Sequence, residues 1–576
     1  MTKKNILSTV LISLLFLPSF SQANKQEADL RREITLYNPY KPSLADFRKK
    51  SFLPDINDTA SVKVSFSYEI RPNAFSPAYT LAPIKPASLL PDPLPKLYKS
   101  YVKVGFGNYS TPLAEISITN ERSRKGAVGF YGRHYSSNGK VPLENKLRVF
   151  AGFMENEGSL FARNFFNKSI LGGSVNLIQN TRYAYGYSPE LLPYIPDKKS
   201  IKISYYDIGG NISFSSLNLD STSFSYDFDL DYDYFHNSEY LYQHHAGISG
   251  KMAKMFEGFY VGASAGYQYY RLSDSILAHP KYYFSAAPFL RRSTGQWNFN
   301  IGLQLLLERN VSSTAKLHLY PDVTFGFNIV PEYIKFFAGL NGKLEMNDPL
   351  KASGINPFIK PDGTLFKLPN TDHALIISAG LKGNSGIGGN YELSVAYSMI
   401  NDLLLFANIV HPDSASVPAE RGNHFIPRPD DAELLNIHGE LSGEFTRRVS
   451  FLASANYYKY TLTGNDYPWN KPEWDGRLTL KYNLRDKIIA GADFTLLGPS
   501  KLMSMKSTTG WMTLSPGQPY IEKPVHLNLG LSAEYRYTRI LSFWAKINNI
   551  SWNRYYEWAY YPSQMFNFMI GFSYSL

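Results

Sequence analysis

An alternation of apolar and polar side chains runs from about Tyr101 to the last residue, and it constrains the fold more than any other feature. Neighbouring residues of a β-strand point to opposite faces, so this alternation predicts strands with one apolar face. The pattern recurs at 261–269, 323–329, 451–457, 527–537 and 541–547. It is clearest at the end, where one face consists of Phe566, Phe568, Ile570, Phe572, Tyr574 and Leu576. The sequence therefore predicts an all-β chain.

Connections of two lengths separate the alternating segments. Short turns are expected at 401–402, 485–487 and 538–539, and long polar connections at 411–433, 464–474 and 498–524. Short turns at one end and long loops at the other are typical of a transmembrane β-barrel. About 20–24 strands are expected, and we place the barrel at residues 98–576.

The first residues have the features of an export signal. Lys3 and Lys4 precede an apolar stretch at 6–17, and Ser21 and Ala23 supply the small residues expected before a cleavage site. We therefore expect a signal peptide at 1–23. A membrane anchor is the alternative, but the stretch is shorter than the about 20 residues that a spanning helix needs.

Composition favours a membrane barrel over a soluble β-sandwich or propeller. Aromatic residues make up 15% of the chain. Unpaired backbone groups cost several kcal/mol each in hydrocarbon, and closing the sheet removes both edges. The expected location is the outer membrane of a Gram-negative bacterium, in contact with its lipids. Part of an aromatic girdle at the lipid interface is expected from Trp552, Tyr555, Tyr556, Trp558, Tyr560 and Tyr561.

Residues 24–97 differ from the alternating region because they are rich in proline. Proline breaks helices and removes a donor from a β-ladder, so an extended, polyproline-like strap in the periplasm or the lumen is expected. The basic residues of the chain are scattered, although the formal net charge is +11, so nucleic acid is not an expected partner.

Four carboxylates alternate with apolar and aromatic residues in one predicted strand: Asp227, Asp229, Asp231 and Asp233. They share one face and cannot face lipid, so they are expected in the lumen. One interpretation is a binding site for a cation or a basic partner. The favoured interpretation is a luminal wall whose carboxylates pair with Lys or Arg of neighbouring strands.

Two motifs that resemble catalytic or metal sites have simpler explanations. Residues 262–266 match G-x-S-x-G, but Ser264 lies inside an alternating segment and not at the strand-to-helix turn that a nucleophile requires. His244 and His245 are adjacent in a predicted strand and therefore point to opposite faces. The chain has no cysteine. No enzymatic activity, metal site or cofactor is expected.

The C-terminal segments resemble the closing strands of TonB-dependent receptor barrels. The resemblance rests on HLNLGLSAEYRY at 526–537, KINN at 546–549, the pairs 555–556 and 561–562, the segment 566–568 and GFSY at 571–574. REITLY at 32–37, the strap at 84–95 and GFGNY at 105–109 are similar to a Bacteroidetes-type set that lacks the plug domain. The resemblance implies a barrel of about 22 strands, whose lumen is normally plugged.

The resemblance implies transport of a solute across the outer membrane. Substrate choice would lie in loops such as 411–433 and 498–524, and an energy-coupling protein would be a partner. Residues 24–97 are too few for the folded plug of the family, so a second function stays open. In it, the barrel is a non-transporting scaffold or assembly component that binds other envelope proteins, such as a lipoprotein.

Overall fold

The structure is a computed structural model that describes residues 98–120, 123–187, 194–217, 223–273, 279–310, 314–385, 388–410, 424–506, 520–551 and 554–576. The expected signal peptide at 1–23 and strap at 24–97 lie outside these residues. Within the described ranges, no helix is long and apolar enough to cross a membrane.

The first part of the described chain contains long strands and one short hairpin. These strands are β1 (Ser100–Gly107), β2 (Thr111–Thr119), β3 (Gly126–Ser137), β4 (Lys140–Pro142), β5 (Arg148–Phe150), β6 (Phe153–Phe165), β7 (Ser169–Tyr183), β8 (Lys202–Ser216), β9 (Ser225–Asn237), β10 (Tyr242–Phe256), β11 (Phe259–Leu272), β12 (Lys281–Ser293), β13 (Trp297–Arg309), β14 (Lys316–Val330) and β15 (Ile334–Glu345).

The second part adds a short helix, α1 (Pro349–Ile355), and a 3₁₀ turn (Gly363–Phe366) before the next strand. Asp348 starts the helix because its side chain accepts a hydrogen bond from the Lys351 backbone N–H at 2.8 Å. The strands here are β16 (Thr371–Asn384), β17 (Asn390–Leu403), β18 (Phe406–Val410), β19 (His424–Pro427), β20 (Asp430–Thr446), β21 (Val449–Leu462), β22 (Trp474–Leu484), β23 (Ile488–Leu497), β24 (Ser500–Lys506), β25 (Tyr520–Lys523), β26 (His526–Arg536), β27 (Leu541–Asn548), β28 (Tyr556–Trp558), β29 (Tyr561–Pro562) and β30 (Asn567–Ser575).

The described strands form a closed antiparallel barrel of 22 strands. Each barrel strand pairs with the next one along the chain, and β30 pairs with β1 with Gly571 opposite Gly105. The barrel excludes β4, β5, β18, β19, β24, β25, β28 and β29, which lie in connections between barrel strands. The predicted fold class and strand number are confirmed.

The two ends of the barrel differ in the length of their connections. Short turns such as 257–258, 447–448 and 485–487 lie at the end that holds the C-terminus, and long connections lie at the opposite, loop end. One predicted turn is wrong, because Asn401 and Asp402 lie inside β17. The register shifts there between Ile400 and Leu403, and Asp402 has a φ of 54°. A bulge that needs positive φ selects the same residue types as a turn.

The two faces of the barrel wall have opposite polarity. On β30, Phe568, Ile570 and Phe572 point outward and are exposed, whereas Met569 and Ser573 point inward and are buried. This is the alternation that the sequence predicts. An exposed apolar outer face is consistent with an outer-membrane barrel, and other strands contribute to it Leu160, Val175, Ile212, Leu230, Ile248, Ile301, Leu317, Ile377, Leu393 and Leu441.

Candidate functional site in the barrel lumen

Polar side chains of neighbouring strands form hydrogen bonds across the inner wall. Ser159 Oγ donates to Asn176 Oδ1 at 2.7 Å, and Asn300 Nδ2 donates to Asp322 Oδ2 at 3.0 Å. On the far side of the barrel, Asn456 Nδ2 donates to Asp475 Oδ1 at 3.0 Å. A wall of this polarity suits a water-filled lumen.

The four predicted site residues lie together on the inner face of β9. Asp227 and Asp229 lie nearer the end that holds the C-terminus, and Asp231 and Asp233 lie nearer the loop end. Asp233 Oδ2 is 3.0 Å from His245 Nδ1, and Asp231 Oδ2 is 3.4 Å from His245 Nε2. His245 lies on β10 directly opposite Asp233. The acidic strip is therefore in contact with a histidine of the next strand.

Glycines on the flanking strands make room for two of these carboxylates. Gly209 of β8 and Gly247 of β10 lie opposite Asp233 and Asp231, respectively. A Cβ at Gly209 would collide with Asp233 Oδ1, and one at Gly247 would collide with the carboxylate of Asp231. The two carboxylates therefore lie over bare backbone on the inner wall.

The prediction that Lys or Arg of neighbouring strands pair with the acidic strip is wrong. Among the described residues, no Lys or Arg forms an ion pair with the four aspartates, and the partner is His245. Lys251 lies opposite Asp227 in the register, but its Nζ packs over the ring of Phe289 at 5.2 Å. As predicted, His244 and His245 face opposite ways, because His244 Nδ1 lies 2.8 Å from the hydroxyl of Tyr232 on the outer face.

Changing Asp227, Asp229, Asp231 and Asp233 together to asparagine should leave the barrel folded. Ion pairs in a wet lumen contribute only about 0–1 kcal/mol each, and the backbone ladder does not depend on these side chains. We expect the variant to keep the heat-modifiable migration of the unchanged protein in electrophoresis. Migration as an unfolded chain even without heating would show that the charges are structurally indispensable.

A second histidine lies between two carboxylates on the inner wall. His318 Nε2 is 3.0 Å from Glu308 Oε1, and His318 Nδ1 is 3.5 Å from Asp372 Oδ2. Here the carboxylates have further partners, because Asn370 Nδ2 donates to Glu308 at 2.9 Å and the Tyr320 hydroxyl donates to Asp372 at 2.7 Å. No pattern within one segment of the sequence reveals this cluster, since its members come from β13, β14, β16 and the connection before β16.

Apolar side chains from six long connections meet in one buried core at the loop end, which we name the loop cap. The connections are 138–152, 184–201, 346–370, 404–429, 498–525 and 549–566. Inward-facing residues of the wall, among them Tyr205, Phe235 and Leu272, belong to the same core. The cap therefore lies within the mouth of the lumen. Its described core residues from the connections include Val141, Leu143, Val149, Tyr185, Tyr187, Phe358, Ile359, Leu365, Phe366, Leu368, Phe406, Phe425, Leu502, Trp558 and Tyr561.

Polar contacts attach the connection 346–370 to the wall. The Tyr205 hydroxyl donates to the Ile359 carbonyl at 3.3 Å, Asn237 Nδ2 donates to the Pro361 carbonyl at 2.8 Å, and Lys281 Nζ donates to the Phe366 carbonyl at 3.0 Å. These donors come from β8, β9 and β12, whereas the connection itself joins β15 to β16. The segment therefore extends away from its own strands across the mouth of the barrel.

Other contacts join the connections to one another. The rings of Phe358 and Tyr561 stack with centroids 3.7 Å apart, and the Tyr185 hydroxyl donates to the Pro562 carbonyl at 2.8 Å. β18 and β24, from different connections, pair in parallel within a four-stranded sheet. Burial raises the pKa of Tyr561 well above its ordinary value, so this hydroxyl stays neutral.

The prediction that the aromatic residues at 552–561 form a girdle at the lipid interface is wrong for Trp558 and Tyr561, which are buried. Trp558 and Tyr561 belong to the cap core, where Trp558 packs edge-on against Phe406 and Phe425. A ring with a polar tip suits a loop core with nearby carbonyls as well as it suits a lipid interface. Trp552 lies outside the described residues.

The G-x-S-x-G motif is confirmed as part of a strand. Residues 262–266 lie in the middle of β11, with Ser264 opposite Lys251 on the inner face. An extended strand does not provide the sharp turn that exposes a catalytic serine. The motif therefore gives no support to an enzymatic reading.

The fold defines a class, that of the large outer-membrane β-barrels. Solved structures named as metal transporters and siderophore receptors share this fold. They include the FrpB iron transporter from Neisseria meningitidis, with a TM-score of 0.64, 10% identity and coverage of 84% of this chain and 82% of that one. The siderophore receptor PirA from Acinetobacter baumannii has a TM-score of 0.62 and 10% identity, with 84% and 81% covered. The copper transporter OprC has a TM-score of 0.59 and 13% identity, with 84% and 81% covered.

No family model and no curated protein matches this chain. The likeness to solved structures therefore concerns the fold, and it confirms the barrel that the sequence resemblance implies. The barrel and these neighbours point to an outer-membrane location. The lack of a plug domain and the Bacteroidetes type stay predictions.

Proposed function

We propose that this chain moves a solute across the outer membrane through the lumen of its barrel, with the loop cap as the gate. The observation that carries the proposal is the pairing of a polar inner wall with an apolar core that fills the mouth. A polar wall favours a hydrated path, and a dry core blocks it until the cap opens. Neighbours named as iron and copper transporters support a transport role. Such a role would make an energy-coupling protein a partner.

A second candidate is the non-transporting scaffold. The observation that favours it is the closed packing of the cap, whose core residues Ile359, Leu365 and Phe366 are fully buried like those of a permanently folded domain. In that case the outer surface of the cap would contact other envelope proteins, such as a lipoprotein, and the lumen would stay closed.

A reversible lock on the cap distinguishes the two candidates. The native chain has no cysteine, so one engineered disulfide can be studied alone. Asn408 of β18 and Ser504 of β24 are direct partners in the parallel register, and adjacent strands have Cα spacings of about 4.7–4.9 Å that a disulfide tolerates. We expect brief openings of the unchanged protein in planar bilayers, none in the oxidised Asn408→Cys/Ser504→Cys variant, and their return after reduction.

The single variant Asn408→Cys is the control for the substitution itself and should conduct with or without reductant. If the unchanged protein, the single variant and the reduced double variant all fail to conduct ions, gated transport is contradicted. Recovery of a stable envelope partner in the same preparation would then support the scaffold.

A further inference from the structure

The inner wall at the acidic strip has the geometry of an ion site. One ligand atom each of Asp231, Asp233 and His245 lies within 4.8 Å of the other two, and this is the one such group among the described residues. Two ligands on a single tetrahedral Zn²⁺, at about 2.0–2.2 Å from the ion, are themselves about 3.3–3.6 Å apart. The distance from His245 Nε2 to Asp231 Oδ2 is 3.4 Å, which matches such an edge.

An unpartnered carboxylate oxygen beside this group is the second, independent observation. Asp207 of β8 is only 6% exposed, and its buried Oδ1 has no hydrogen-bond partner among the described residues. It lies opposite Phe235 and two residues before Gly209 in β8, so it shares the inner face with the Gly209–Asp233 pair. The carboxylate of Asp233 leans over Gly209 toward this strand. A buried carboxylate oxygen without a partner is costly, and a bound cation would remove that cost.

The His318 cluster shows what a satisfied arrangement looks like in the same lumen. There Asn370 and Tyr320 donate hydrogen bonds to Glu308 and Asp372. Within the part of the chain that the structure describes, no comparable donor reaches Oδ1 of Asp207. Its glycines also leave the carboxylates of Asp231 and Asp233 free to turn over bare backbone.

We propose that Asp231, Asp233 and His245, with Asp207 beside them, bind one divalent transition-metal cation on the luminal wall. One imidazole and several carboxylates without a thiolate suit Zn²⁺, Cu²⁺, Mn²⁺ or Fe²⁺. Packing of the His245 ring on Tyr270, with centroids 4.3 Å apart, holds the imidazole in place. The proposed site does not require that the chain transports a solute, because an ion that stays bound and an ion that crosses the lumen would contact the same ligands. The sequence left a cation site on this strip open as one interpretation but predicted no metal ligand.

The test uses the full chain in detergent, without a polyhistidine tag and freed of metal by a chelator. Cu²⁺ is titrated and followed by electron paramagnetic resonance, and Zn²⁺ is titrated in a calorimeter. We expect one equivalent of each ion to bind, with hyperfine splitting from a single nitrogen in the Cu²⁺ spectrum. His245→Gln should remove that splitting, whereas His318→Gln should retain it.

A matched pair of double variants separates a site from a diffuse acidic surface. Asp231→Asn/Asp233→Asn and Asp227→Asn/Asp229→Asn remove the same charge from the same strand and face. We expect the first pair to weaken Zn²⁺ binding by at least about 100-fold and the second by less than about 3-fold. Asp207→Asn should weaken it by about 10-fold, an effect typical of groups that support a metal site. Heat-modifiable migration shows that each variant is folded.

Three results would overturn the proposal. They are the absence of saturable binding to the unchanged protein, equal losses in the two double variants, and a Cu²⁺ spectrum that His245→Gln leaves unchanged. In each case the contacts of His245 with the two carboxylates are hydrogen bonds without a metal ion, and the wall is an ordinary acidic surface.

Discussion

Replacing Phe358 and Tyr561 together by alanine is expected to turn a barrel that opens briefly into one that conducts steadily. The two rings stack in the cap core, are only 5% and 1% exposed, and come from different connections. Loss of a buried aromatic side chain costs about 3–5 kcal/mol. This loss falls on the cap, because the ladder of the 22-stranded barrel does not use these side chains. The cap should therefore open while the wall remains folded.

Planar-bilayer conductance measures this opening, and limited proteolysis of the connections reports it independently. The control is Tyr240→Ala/Ile355→Ala, which removes two large side chains at the same end of the barrel where they are 89% and 43% exposed. This control should conduct like the unchanged protein. If proteases cut the connections of the core variant while its conductance stays unchanged, the cap is not what closes the lumen.

Replacing Gly571 by alanine is expected to prevent closure of the barrel. Gly571 lies on β30 opposite Gly105 of β1, at the seam where the last strand meets the first. A Cβ at position 571 would collide with the backbone carbonyl of Val104 and lie 2.5 Å from the ring of Trp544. The backbone of β1 can move away only by breaking seam hydrogen bonds. An unclosed sheet leaves two edges unpaired, each of whose groups costs several kcal/mol in hydrocarbon.

We expect that the Gly571→Ala protein shows no heat-modifiable migration in electrophoresis of the outer-membrane fraction. Gly439→Ala is the matched control, because Gly439 also lies in a barrel strand but the nearest atom to its added Cβ is Leu393 Cδ1 at 4.0 Å. It should assemble normally. Normal assembly of both variants would show that the register at the seam differs from the one described.

The alternation of side chains predicts which face of each strand meets lipid. Phe568, Ile570 and Phe572 point outward as expected, and the four aspartates of β9 point inward. A range of about 20–24 strands was predictable for the same reason, whereas the value of about 22 came from the resemblance to a known family. These properties are local to a strand, so one sequence is sufficient to reveal them.

The predictions from the sequence are wrong where the same local pattern is compatible with two different structures. Asn401 and Asp402 have the composition of a turn but form a bulge in β17. Trp558 and Tyr561 have the composition of a lipid-interface girdle but pack inside the cap. In both places the surroundings decide the outcome, and those surroundings are distant in sequence.

The sequence by itself determined an all-β chain whose strands have one face for lipid and one for water, because that information repeats every second residue. Only the tertiary structure decided that His245 lies between Asp231 and Asp233, that Asp207 lies beside them, and that six connections form one cap. The physical reason is that strand register and loop convergence depend on pairing and packing between segments far apart along the chain. No period within a single segment encodes which neighbour that segment will meet.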